Sequence, residues 1–241
     1  QGYSSAASDV YKRQNYNLAD LPIKDTLEDA LEIPVWLENE ANLSALAEKT
    51  FVENHKNLIH VSIHAGVGAG IILDHHLYTG LAGTAGEAGH MIVQPGGRSC
   101  PCGNHGCLEQ YASATGIARV TKKYLEEHDD ETVLRNTPEL TAKAIFDAAK
   151  LGDEVAIKMV DETAKILAKG LSLVACVVNP QVFVIGGGMS KAGDFLIEQV
   201  QKYYQEYAFH ACKNTFFKLA DLGNDCLLYT SPSPRDGLLS R

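Results

Sequence analysis

The sequence predicts an α/β domain that gathers a ligand at its strand ends, and three observations carry that reading. The apolar run Gln181-Val-Phe-Val-Ile185 enters three glycines, Gly186-Gly-Gly188, and a helical stretch from Asp194 to Tyr207 follows. Strand, glycine turn and helix in that order is the grammar of such domains. A second apolar stretch, Ile59-His-Val-Ser-Ile63, also runs into glycines. Over 241 residues, 45% apolar and 21% charged composition supports a sizeable core and excludes a disordered chain.

The elements follow in order. Thr26 to Glu32 reads as a short helix and Ile33-Pro-Val-Trp-Leu37 as a strand. Ala41 to Phe51 is rich in Ala, Leu, Glu and Lys and reads as a helix beginning just after Asn39-Glu40. Apolar residues alternate through Ile59–Ile63, the pattern of a half-buried strand. Gly66-Val-Gly-Ala-Gly70 reads as a glycine turn into a further strand, Ile71-Ile-Leu73, and so as a hairpin. Gly80 to Gly103 is rich in loop residues. Beyond it, Ser113 caps a helix with Ile117, Val120, Thr121 and Tyr124 on one face. Thr141 caps another, holding Ala142, Ile145, Phe146 and Ala149 and stopped by Gly152. A longer helix, Asp153 to Val178, buries Val155, Met159, Val160, Thr163, Leu167, Gly170, Leu171 and Val174 before Asn179-Pro180 halts it.

A net charge of −9 argues against a generic nucleic-acid surface. No apolar run approaches the ~20 residues of a membrane span, and no signal peptide is recognisable, so a cytoplasmic protein without a membrane partner is expected. The two ends read as foreign. Asp9-Val-Tyr-Lys-Arg-Gln14 and Cys226-Leu-Leu-Tyr-Thr-Ser231 back-translate to opposite strands of one DNA word, that of a transposase adapter. Residues 1–14 and 226–241 are therefore expected to be non-native, leaving about 15–225 as the native segment.

His90, Cys100, Cys102 and Cys107 offer one imidazole and three thiolates, a closed tetrahedral set for a structural zinc ion. Gly103 and Gly106 allow the tight turns that such a loop needs. Asn39, Glu40, Glu87, His90 and Glu109 supply the carboxylates, amide and imidazole that recognise a polyol. Singly, each reads as an ordinary surface or capping residue.

Ile63 to His90 resembles the signature of the ROK family (repressors, open reading frames and sugar kinases) through Gly66, Gly68, Gly70, Gly80, Gly86, Gly89 and His90. Glu87-Ala-Gly-His90 resembles its sugar motif, and Cys100-Pro-Cys-Gly-Asn-His-Gly-Cys-Leu-Glu109 its zinc loop with the following sugar-binding glutamate. Asn39-Glu-Ala-Asn42 resembles its asparagine–aspartate–alanine–asparagine motif, and Gly186-Gly-Gly188 its adenosine loop. The resemblance implies the two-domain sugar-kinase (actin-like ATPase) fold, incomplete at both ends, with 15–57 the remnant of the small domain and 58–225 most of the large one. It implies that Asn39, Glu87, His90 and Glu109 hold a hexose, glucose- or xylose-like, and that Glu40 occupies the position of the kinase base. Gly66, Gly68 and Gly70 would face nucleotide phosphates, and Gly186, Gly187 and Gly188 the adenosine. A homodimer is the family's usual state.

The departures matter as much. Aspartate is the kinases' base, whereas this chain has Glu40; their Gly-Thr-Gly is here His64-Ala65-Gly66. Glu38 to Asn42 and Ser62 to Ala65 resemble sugar-responsive, xylose-type repressors, in which a DNA-binding segment precedes this one. From Ala112 onward the chain resembles the family's glucokinases. The expected function is therefore a sugar-sensing effector domain that binds DNA only through a missing N-terminal domain. The alternatives are an ATP- and magnesium-dependent glucokinase fragment and a sugar-binding paralogue without a DNA partner. A join of two parents near Cys102–Ser113 would leave that boundary loosely packed.

Overall fold

The computed structural model describes residues 11–13, 18–52 and 54–222. β1 (Tyr11–Arg13) pairs antiparallel with β2 (Leu18–Leu21). α1 (Ile23–Leu31) and α2 (Glu40–Phe51) precede the strands β3 (Leu58–Ile63), β4 (Val67–Leu73) and β5 (His76–Leu77). After a long irregular loop come α3 (Glu109–Ala112), α4 (Ala114–Glu127), α5 (Ala142–Lys150) and α6 (Glu154–Val178). The last elements are β6 (Val182–Gly186), α7 (Asp194–Tyr207) and β7 (Phe216–Leu219). Of the residues expected to be foreign, 11–13 are described and 226–241 lie outside the described residues.

A five-stranded sheet in the order β5-β4-β3-β6-β7 organises the molecule. β3 pairs antiparallel with β4 and parallel with β6, so Leu58 stands opposite both Ile72 and Val182. Side chains alternate between faces. Leu58, Ile72, Val182 and Val184 meet Ala45 of α2 on one side. Ile59, Val61, Ile63, Phe183 and Ile185 enter a larger core on the other, with Ile117, Ile145, Leu167 and Leu196 from α4 to α7. Each such large apolar side chain contributes about 1.5–3 kcal/mol by burial. β7, which the sequence reading did not separate from its surroundings, adds Phe217, stacked on Phe183 at 5.1 Å.

Local chemistry explains most boundaries. The side chains of Ser113, Thr141 and Asp153 accept the N–H groups of Gly116, Ala144 and Ala156, capping α4, α5 and α6 as their sequence positions suggested. All eight α6 residues expected in the core are buried, and Asn179 ends the helix in the left-handed region at φ 49°. α1 starts earlier than expected, at Ile23, and ends at Leu31.

Three expectations are corrected. Ile33–Leu37 is not a strand: residues 34–39 have no ladder partner among the described residues, Pro34 has no N–H, and Val35 donates to Glu28 Oε1 at 2.9 Å instead. β3 is buried along its whole length, because α2 covers the face that alternation would leave to solvent. The glycine turn is shorter than 66–70. β4 already runs at Val67, and Gly70 is where α2 crosses it, since a Cβ there would lie 2.2 Å from the Ala41 carbonyl oxygen. Ile59, Leu108, Ala112, Ile117 and Leu167 share one core and are all fully buried.

Candidate functional site

The polar chemistry collects at the C-terminal end of β3, where open α/β sheets place their ligands. α2 begins there. The Asn39 Oδ1 accepts the Ala41 N–H at 2.8 Å, which caps the helix and sets Glu40 in its first turn. Glu40 Oε1 lies 3.1 Å from His64 Nε2 and accepts the Ser62 hydroxyl at 3.4 Å. On the far side of the imidazole, the Gly188 N–H donates to His64 Nδ1 at 3.2 Å. An acceptor nitrogen carries no proton, so the neutral ring holds its proton on Nε2, facing Glu40.

Gly186, which ends β6, and Gly187 after it lie directly on β3. A Cβ at 186 would sit 2.4 Å from His60 Nε2, and one at 187 would sit 2.5 Å from the Ile63 carbonyl oxygen. Gly187 also adopts φ 82°, which side chains disfavour. His60 itself is buried, and burial pulls its pKa from 6.5 down to about 4, against the opposing pull of Glu40. It is a neutral side chain at neutral pH.

The second cluster hangs on the same β3–β4 turn. Glu109 opens α3, and its Oε2 would be 3.0 Å from a Cβ on Gly66. Its Oε1 accepts from Gln110 Nε2 and from the Cys100 thiol, both at 3.2 Å, and stands 3.8 Å from His90 Nδ1. Glu87 Oε2 is 3.8 Å from the other nitrogen, His90 Nε2. One imidazole thus divides two carboxylates. Thr115 donates to the Ala65 carbonyl at 2.6 Å and the Ala114 N–H to the His64 carbonyl at 2.8 Å, fastening α4 to the turn.

His90, Cys100, Cys102 and Cys107 converge, with one ligand atom from each lying within 4.8 Å of all the others. Cys100 Sγ is 3.6 Å from His90 Nδ1, and Cys102 Sγ is 3.6 Å from Cys107 Sγ. Ligands ~2.3 Å from a tetrahedral ion are separated by ~3.8 Å, so the set fits a metal. Burial pushes the Cys100 thiol up to about 12 and also raises Cys107, whereas the Asn104 backbone N–H lowers Cys102. The turn is tight: Gly103 and Gly106 adopt φ 94° and 87°, and a Cβ at 106 would strike the Gln94 carbonyl oxygen.

The expected residues therefore fall into two groups, Glu40 with Gly186–Gly188 and Glu87–His90–Glu109 with the cysteines, joined through the turn His64–Gly66. Gly68 and Gly70 lie in β4 under α2. Sequence reasoning missed the parts of His60, Ser62 and His64. Polar residues at alternate positions, two within an apolar strand and His64 just past its end, were the signal.

Comparison with known proteins places this geometry. The sequence model of the ROK family matches residues 3–227. A glucokinase of Halalkalibacterium halodurans is 39% identical over 223 residues, which is 90% of this chain and 68% of that protein. A xylose repressor of Caldicellulosiruptor bescii is 34% identical over 201 residues, 82% of this chain and 50% of that one. The crystal structure of a ROK family glucokinase from Streptomyces griseus, in complex with glucose and AMPPNP, superposes with a TM-score of 0.82 at 30% identity. It covers 89% of this chain and 72% of that one. The fold is that of the ROK sugar kinases, the actin-like ATPase fold. Since the family's sequence model runs through both side-chain clusters and the turn between them, this chain belongs to the ROK family.

Proposed function

We propose that the chain is a hexose-binding ROK segment that senses its sugar, with Asn39, Glu87, His90 and Glu109 receiving the hydroxyls. The observation that carries the sensing reading is the state of Glu40. Its Oε1 is held by His64 and Ser62, neither of which offers a phosphoryl group a positive clamp. Zinc is the metal we assign to His90, Cys100, Cys102 and Cys107: three soft thiolates close the set, so its chemistry is structural. With Nδ1 turned to Cys100 and Nε2 to Glu87, His90 would join zinc loop to sugar. In this reading DNA is a partner only through a segment outside this chain.

The second reading, an ATP-dependent glucokinase, is favoured by the 39% identity to such an enzyme over 90% of the chain. Titration calorimetry with glucose and xylose, together with coupled ATP-turnover assays, separates the two. We expect sugar binding without turnover. Each of E87Q and E109Q should weaken binding about tenfold, one charged hydrogen bond. Glucose-dependent ATP turnover would establish the kinase reading, and no binding of either sugar would end both.

A further inference from the structure

We propose that His64 is a positioning residue that ties the carboxylate of Glu40 to the Gly186–Gly188 loop, so that sugar and nucleotide subsites communicate through one imidazole. This rests on the sugar site proposed above and on the nucleotide-facing glycine loop that the resemblance to the family implies.

The bonds have a direction. The Gly188 N–H donates to Nδ1, which leaves the neutral ring's proton on Nε2, the nitrogen that stands 3.1 Å from Glu40 Oε1. Neither bond can reverse, because a backbone N–H cannot accept and a carboxylate cannot donate. The imidazole has two heteroatoms and both are used, so a shift of the loop away from Nδ1 frees the ring to turn and takes one contact from the carboxylate. The loop has no freedom to move toward β3. His60 lies beneath Gly186 and the Ile63 carbonyl beneath Gly187, each too close for even a Cβ. A shift outward, away from β3, would break the His64 bond. Ser62 holds the same carboxylate oxygen at 3.4 Å and is the weaker tether. The charged and titratable groups around His64 are Glu40 on α2 and His60 on β3, the strand before it, and His60 is neutral. Burial does not fix the ring: its side chain is 37% exposed, so replacing it leaves the core intact.

The test compares the wild type with His64→Leu, which can neither accept nor donate, and His64→Gln, which can do both. Imidazole 15N NMR should show an unprotonated Nδ1 and a protonated Nε2. Exchange of the Gly188 amide should be about tenfold faster in His64→Leu and near wild type in His64→Gln. Saturating AMPPNP should change the glucose dissociation constant of the wild type by about tenfold, within the usual range of coupling. That factor should fall to about one in His64→Leu and partly return in His64→Gln. The opposite tautomer, unchanged Gly188 exchange in His64→Leu, or a coupling factor that survives it would overturn the proposal. Failure to bind glucose at all would overturn the sugar-binding reading and the coupling with it, while the tautomer and exchange data still decide the link itself.

Discussion

The loop from His90 to Cys107 and the loop from Gly186 to Gly188 are both glycine-rich turns beside the same strand end, yet they are held by opposite means. In the first, four side chains within eighteen residues converge, and Gly103 has nothing within 4 Å of where a Cβ would be. Its shape comes from side-chain valence, and a metal would close it. In the second, the residues make almost no side-chain contacts of their own and lie against His60, Ile63 and His64. Its shape comes from packing between segments far apart in the chain. Glycine content alone therefore does not say what a loop is for. Gly103 permits bending; Gly186 permits approach.

Loss of a metal ligand should have the largest effect. Cys107→Ser should cost about 4 kcal/mol, the scale of a lost structural ion, and should drop bound zinc below one equivalent. Thermal unfolding and elemental analysis together check this, and an unchanged melting point with zinc retained would refute the first half of the contrast.

A smaller effect tests the packed side. His60 is protonated near 6.5 when unfolded and near 4 when folded, so the unfolded chain binds more protons between those values. Its contribution is complete above pH 6.5 and is lost as pH falls toward 4, about 3 kcal/mol in all. Urea unfolding of wild type and His60→Gln from pH 4 to 8 should show the two stabilities converging on the acid side. A constant gap would mean that His60 is not buried neutral.

The smallest effect sharpens the contrast within a single substitution type. Gly187→Ala combines a positive φ with a 2.5 Å approach to the Ile63 carbonyl and should cost about 2–3 kcal/mol. Gly103→Ala has the positive φ alone, and about 1 kcal/mol should suffice. Equal losses in denaturant titrations would show that approach adds nothing to backbone strain.

What the sequence disclosed follows the same division. Caps at Ser113, Thr141 and Asp153 and the 3.6-residue period of α6 are local, and they were legible. So was the cysteine set, because its ligands lie close together in the chain. The strand assignment at Ile33–Leu37 failed because β-propensity says nothing about whether a neighbour exists to pair with. Full burial of β3 was invisible because its cover, α2, lies upstream and shows only a mild apolar face. Gly70 looked like a turn residue because its reason, the Ala41 carbonyl, is almost thirty positions away. The residues proposed to bind sugar were named through a family resemblance. The His64 link was not, because it joins three segments that no local pattern connects.

The parallel pairing of β3 with β6 also sets a timetable. Gln181 reaches back across 124 positions to hold the Asn57 N–H at 3.1 Å, and the ladder that begins there is the sheet's centre. During synthesis β3 therefore emerges with one ladder edge bare and stays so until residues beyond 186 leave the ribosome. Contacts of such long range form late because closing a large loop comes first. At 5–20 residues per second, the interval lasts about 6–25 seconds, and the exposed row of amides and carbonyls along Leu58–Ile63 is then open to a neighbouring nascent chain. Chaperone demand in the cell should track that interval rather than the stability of the finished fold.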